Sequence, residues 1–142
     1  LKIEVYSDGS GMTKATPAGY GFVVTKNSVK VHEGSGYLPL GTNNDAELQG
    51  AIEGLNSVHD VFGELEKDDE VILVSDSQII LNWADGTNQF KQEEKMDKYF
   101  ALRNLMGDLK AKTRWVPGHS GDLHNERCDK LANAARLGGV NG

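Results

Sequence analysis

Apolar positions recur every second residue in the first third of the chain and every third or fourth residue later. Alternating or β-branched runs at Lys2–Tyr6, Tyr20–Thr25 and Val29–Leu38 are separated by short polar segments containing Gly, Pro, Asn and Ser, which predicts three antiparallel strands. After Pro39 the period changes. Leu48, Ala51, Ile52, Leu55, Val58 and Phe62 follow the cap candidates Thr42, Asn43 and Asn44 at helical spacing, which predicts an amphipathic helix. A compact apolar strand at Val71–Val74 leads to Asp76 and Ser77, which can cap a second helix through Ile80–Trp83. Further helix is expected from about Glu93 to Leu109, then a strand over Ala111–Val116. A closing helix from about Asn125 to Arg136 would bury Cys128, Leu131, Ala132 and Ala135.

This order predicts an α/β fold around a mixed five-stranded sheet: three hairpin-linked antiparallel strands, then parallel strands joined by helical crossovers, with helices on both faces. Residues 1–137 form one domain in this reading, and residues 138–142, rich in glycine, form a flexible tail. Ligands of such sheets bind beyond the carboxyl ends of the parallel strands. Asp8 and Asp76 each follow an apolar strand segment, so if the first and fourth strands are neighbours the two carboxylates face one crevice.

Composition sharpens the picture in four ways. A length of 142 residues with 38% hydrophobic content suits one domain with a genuine core. No apolar run approaches the roughly 20 residues of a membrane span, and the start alternates like a strand, so a soluble, cytoplasmic chain with no membrane partner is expected. The single cysteine, Cys128, cannot form an internal disulfide and reads as a small buried helix residue. The formal charge of −6 argues, taken alone, against a broad basic face that grips nucleic acid. Removing four acids as metal ligands brings the count to −2, and bound divalent cations would invert the field locally.

Four short segments carry candidate chemistry, each with an ordinary structural alternative. Ser7-Asp8-Gly9 places an acid among small residues at a strand end, where Asp-Gly is usually only a turn. Asn43, Asn44 and Glu47 share one helix face, although acids are also favoured there by the helix dipole. Asp76-Ser77 could be a plain cap. Asp129 shares a face with Asn125 and Glu126 beside the apolar stripe, and an unpaired acid at a buried edge is costly.

As an ordered set these segments resemble the type 1 ribonuclease H family over nearly the whole chain. The resemblance is carried by Asp8-Gly9-Ser10, Gly19-Tyr20-Gly21, Thr42-Asn43-Asn44 with Glu47-Leu48, Asp76-Ser77, Gly118-His119-Ser120-Gly121, and Asn125-Glu126-Arg127-Cys128-Asp129-Lys130-Leu131-Ala132. It implies a ribonuclease H-like fold, with Asp8, Glu47, Asp76 and Asp129 as catalytic carboxylates and His119 as a loop histidine that assists turnover. It also implies hydrolysis of the RNA strand of RNA–DNA hybrids, leaving 5′-phosphate and 3′-hydroxyl ends. Converging acids repel by about 1 kcal/mol per pair at 4 Å in water and about 4 kcal/mol at an effective dielectric of 20, so they need cations. Two Mg²⁺ ions fit that need, with Mn²⁺ a substitute, because hard cations prefer oxygen ligands and can clamp both the attacking and leaving oxygens at phosphorus.

The hybrid's wide, shallow minor groove exposes 2′-hydroxyls and base edges. Asn43 and Asn44 could reach those edges, Glu47 could accept from a 2′-hydroxyl, and by resemblance Thr42 meets a DNA-strand phosphate and Gln78 faces substrate. His32 and His59 read as surface residues, His124 lies near the presumed site, and Trp83 and Trp115 read as core. The family's basic, Trp-rich protrusion is missing: Gly86–Lys112 mixes Lys and Arg with Glu and Asp and holds no tryptophan. The expected protein is therefore a monomer that binds hybrid weakly by itself and relies on its metal site or on a tethered polymerase or other nucleic-acid-binding partner. The rival readings are a catalytically inactive hybrid-binding module and another nuclease of the same superfamily. Ser10 stands where proofreading exonucleases carry a second acid.

Overall fold

In the computed structural model, which describes residues 1–141, the first strand β1 (Lys2–Ser10) pairs antiparallel with β2 (Thr16–Lys26). A two-residue turn then returns the chain as β3 (Val29–Gly41). Asn27 and Ser28 both adopt positive φ, 48° and 74°, the hand that a tight turn between twisted strands requires. β1 extends to Ser10 rather than stopping at Tyr6, because Asp8, Gly9 and Ser10 still pair with Gly21, Tyr20 and Gly19. Asp8 thus sits inside a strand, not in a turn beyond it.

Helix α1 (Asn43–Phe62) starts in a capping box. The Thr42 hydroxyl accepts the Asp45 N–H at 3.1 Å, and the Asp45 carboxylate accepts the Thr42 N–H at 2.8 Å. The following elements are β4 (Glu70–Ser75), α2 (Gln78–Asp85), a 3₁₀ turn at Glu93–Lys95, α3 (Met96–Asp108), β5 (Lys112–Trp115) and α4 (Leu123–Asn141). The sheet order is β3-β2-β1-β4-β5, with β1, β4 and β5 parallel. This is the expected mixed five-stranded architecture.

Strand alternation divides the core between two faces. Ile3, Val5, Phe22, Val24, Val71 and Leu73 pack against the apolar sides of α1, α2 and α3. Tyr6, Val23, Ile72 and Val74 point the other way, to Cys128 on α4. Full burial of one such aliphatic side chain contributes about 1.5–3 kcal/mol. Helix α4 can approach β2 because Gly19 and Gly21 lack side chains: a Cβ on Gly21 would lie 2.6 Å from that of Leu131, and one on Gly19 would overlap the backbone at Ala132 and Arg136.

Some details differ from the sequence expectation. Ser77, not Asp76, caps α2 by accepting the Ile80 N–H at 3.3 Å, which leaves the Asp76 carboxylate available. Helical backbone continues through residues 138–141, where a flexible tail is expected, and Gly139 lies close against the Tyr37 ring. The last residue of that expected tail, Gly142, lies outside the described residues. Trp83 packs edge-on to Phe90 beside the core, whereas Trp115, expected in the core, is 47% exposed. The reason is local. Trp115 ends a four-residue edge strand, and its indole N–H already donates to the Asp76 carbonyl. Among the described residues no helix is long and apolar enough to cross a membrane.

Candidate functional site

The parallel pairing of β1 with β4 places Tyr6 beside Val74. Two residues further along each strand direction stand Asp8 and Asp76, the latter immediately after the last residue of β4. Glu47 arrives from the first turns of α1. Gly9 permits this approach, since a Cβ there would lie 2.6 Å from the Glu47 nitrogen and 2.7 Å from its Cγ. Asp8, Glu47 and Asp76 each direct one carboxylate oxygen into a group whose members all lie within 4.8 Å of one another.

Few donors serve this group. The Gly9 N–H donates to Asp8 Oδ1 at 2.9 Å, Asn43 Nδ2 to Glu47 Oε1 at 3.2 Å, and Asn125 Nδ2 to Asp76 Oδ2 at 3.4 Å. Among the described residues no Lys or Arg forms an ion pair with these acids. The electrostatic consequence is large. Burial, reinforced by Asp76 and more weakly by Glu47 and Asp129, pushes Asp8 up to about 8 against the opposing Gly9 hydrogen bond. Burial also raises Glu47 to about 7, with Asp76 adding to the rise while hydrogen bonds from Ser77 and Asn43 oppose it.

Asp129 stands apart. It lies one helical turn beyond Asn125 on α4, half-exposed, close enough to disfavour a charge on Asp8 but outside the close group of three. His119 is exposed on the loop between β5 and α4, at a φ of 54°. The preceding Gly118 lies against Asp76, where a Cβ would sit 3.2 Å from Oδ2. Thr42, Asn43 and Asn44 line an open cleft of about 300 Å³ with Met12, Thr13 and Gln92. Gln78 is exposed at the start of α2 and is not among the residues of that cleft.

Several supporting residues escape sequence reasoning. Asp122 accepts the N–H groups of His124 and Asn125 at 3.1 and 2.9 Å and so anchors the start of α4. His124, which the sequence already places near the site, is half-buried against the Tyr6 ring, with centroids 5.2 Å apart. Lys95 pairs with Asp45 at 2.7 Å, tying the segment after α2 to the beginning of α1. A polar residue before a helix signals a cap, and Asp122 could have been found that way. The Lys95 contact spans distant sequence and carries no local signal.

The donor set suits a hard divalent cation. It is made of carboxylate oxygens, partly desolvated and mutually repelling, with no Lys or Arg paired to them among the described residues.

The family model described as RNase H matches residues 2–136. A ribonuclease H of Klebsiella pneumoniae subsp. pneumoniae is 34% identical, over 94% of this chain and 88% of its own length. One of Pseudoalteromonas atlantica is 35% identical, over 96% and 91%. Among solved structures, LC11-RNase H1 in complex with an RNA/DNA hybrid superposes with a TM-score of 0.84 at 27% identity, covering 97% of this chain and 99% of that one.

Proposed function

The chain belongs to the RNase H family, and on that premise we propose that it is an endonuclease hydrolysing the RNA strand of RNA–DNA hybrids, with Asp8, Glu47, Asp76 and Asp129 holding two magnesium ions. The observation that carries this reading is the convergence of three acids, two of them buried, without a cationic partner among the described residues. Bound there, magnesium supplies a hard Lewis acid that makes water a nucleophile near neutral pH and stabilises charge on the departing 3′ oxygen. Manganese, with similar oxygen preference, is the expected substitute.

The chain's own groups bind and orient. Asp8 is fixed within a paired strand and Glu47 within a helix, so neither moves far when substrate arrives. Asn43 steadies Glu47 through its amide. Thr42 spends a lone pair on the Asp45 N–H and keeps its own O–H, which is free to donate to a DNA-strand phosphate. Asn43 and Asn44 present amides to the minor groove, where Glu47 can also accept from a 2′-hydroxyl. Gln78, exposed on α2, offers a further amide on the substrate side. His119, exposed on its loop, can move a proton to or from solvent as product leaves.

One observation weighs against an exonuclease of the same superfamily. At the position where a second acid would be needed, the Ser10 hydroxyl donates to Asn133 Oδ1 at 2.5 Å, committed to α4. The test is a hybrid labelled separately on each strand, incubated with magnesium or with chelator. The expected result is RNA-strand cleavage only with magnesium, giving 5′-phosphate and 3′-hydroxyl ends. Degradation from a DNA 3′ end would identify the exonuclease instead, and binding without cleavage the inactive module.

A further inference from the structure

Asp76 differs from its two companions in what holds it. Asp8 lies within a paired strand and Glu47 within a long helix, but Asp76 is the first residue after β4, on a short connection to α2. Its backbone is fastened from the side by the end of β5. The Trp115 indole Nε1–H donates to the Asp76 carbonyl at 3.1 Å, and the Val116 N–H donates to the Ser75 carbonyl at 3.0 Å. The side chain is held separately, from α4. Asn125, only 3% exposed, offers its Nδ2 to Asp76 Oδ2, while its own Oδ1 is buried without a partner.

Trp115 is an unexpected residue for a four-residue edge strand, since 47% of it remains in water. Burial does not explain a large aromatic there. The indole's only polar group is committed to one atom, the Asp76 carbonyl, and rotation of that peptide would swing the Asp76 side chain away from Asp8 and Glu47. We propose that Trp115 is a positioning residue: its indole N–H locks the Asp76 peptide so that the carboxylate converges with Asp8 and Glu47 on a divalent cation. This inference rests on the reading of those carboxylates as a metal site.

The test uses the whole chain and follows metal binding without substrate, as the magnesium-dependent rise in melting temperature, in wild type, Trp115→Phe and Asp76→Asn. Trp115→Phe keeps an aromatic ring and removes the donor. The magnesium concentration at half-maximal stabilisation should rise about three- to ten-fold, which is what one lost hydrogen bond corresponds to. Melting without metal should change little, because the Asp76 carbonyl can take a water, and turnover at saturating magnesium should recover. A merely structural residue would show the reverse, a lower metal-free melting temperature with an unchanged magnesium midpoint, and that result would overturn the proposal.

Asp76→Asn separates the two levels. If it binds magnesium as wild type does, the carboxylate reading itself fails. If it loses binding while Trp115→Phe matches wild type, only the positioning role fails. Should Trp115→Phe not fold, Trp83→Phe leaves Trp115 as the sole tryptophan of the two in the chain. Its emission should then shift with the same magnesium midpoint as the melting curve, and an emission unchanged through saturation would overturn the proposal.

Discussion

Glu4 and Asp8 lie on the same face of β1 and are buried to nearly the same degree, at 3% and 6% exposure, yet their surroundings are opposite. Glu4 meets Arg114 from β5 at 2.5 Å and the Tyr6 hydroxyl at 3.4 Å, while Arg114 also donates to Tyr6 at 3.0 Å. Asp8 meets Asp76, Glu47 and, further off, Asp129. A buried acid is therefore not in itself a sign of chemistry. The partner decides: at one end of the strand the chain neutralises its own charge, and at the other the described residues supply no cation, which is what the proposed metal site requires.

The largest effect should come from removing a charge at the unpaired end. Asp8→Asn and Asp76→Asn are each expected to reduce cleavage by on the order of 10³-fold or more, several kcal/mol of lost transition-state stabilisation, in single-turnover assays with magnesium. The fold should persist, because the amide is nearly isosteric and relieves repulsion. His119→Ala should cost less, at or below about 10²-fold, since an exposed proton-transfer group assists without holding metal. Loss as complete as in Asp8→Asn, or no loss, would contradict that role.

At the paired end the effect should fall on stability. Arg114→Gln leaves Glu4 buried without its cation, and since the Arg114 side chain is 40% exposed the cost is expected to be about 1–3 kcal/mol, below the range for fully buried pairs. Urea denaturation in chelator measures it, and activity per folded molecule should be unchanged.

A pH series sharpens the contrast. Because Asp8 and Glu47 are raised to about 8 and about 7, the metal-free folded state holds protons that the unfolded chain has already released. Stability without metal should therefore fall as pH rises from about 4 to about 8, the window between ordinary carboxylate values and the folded ones. Melting temperatures in chelator check the slope, which Asp8→Asn should flatten.

The smallest effect concerns salt. Within the segment that replaces a basic protrusion, Lys95 pairs with Asp45, Lys112 with Glu70, and Arg103 donates to the Ala84 carbonyl. Lys91, Lys98 and Lys110 are left in the segment, set among Glu93, Glu94, Asp97 and Asp108, so the net positive charge it offers to hybrid is small. Each missing phosphate contact flattens the slope of log affinity against log salt by roughly 0.9 on the B-DNA scale. Hybrid binding by Asp8→Asn across a salt series should accordingly be weak and shallow, and a steep slope would reveal a basic surface elsewhere.

Periodicity was enough to recover the order of strands and helices, because β1, α1 and β4 each bury one side or run straight through the core. The proximity of Asp8 and Asp76 was also legible, since it follows from two parallel neighbours. Hidden from the sequence were contacts between distant residues. Nothing local to Glu4 announces Arg114, 110 positions away, and nothing local to Trp115 announces that its N–H is used by Asp76. The spacing on α4 likewise shows that Asp129 shares a face with Asn125 beside the apolar stripe but not that it stands outside the close group of three.

The most direct test of the contrast along β1 is calorimetric titration of magnesium into the metal-free protein near pH 7, repeated in buffers of different ionisation enthalpy. Asp8 and Glu47 must lose their protons to become ligands, so binding should release protons into the buffer, and the release should disappear near pH 9 and be reduced in Asp8→Asn. Magnesium binding that releases no protons at pH 7, or that is unaltered by Asp8→Asn, would contradict the assignment of these buried acids to a metal site.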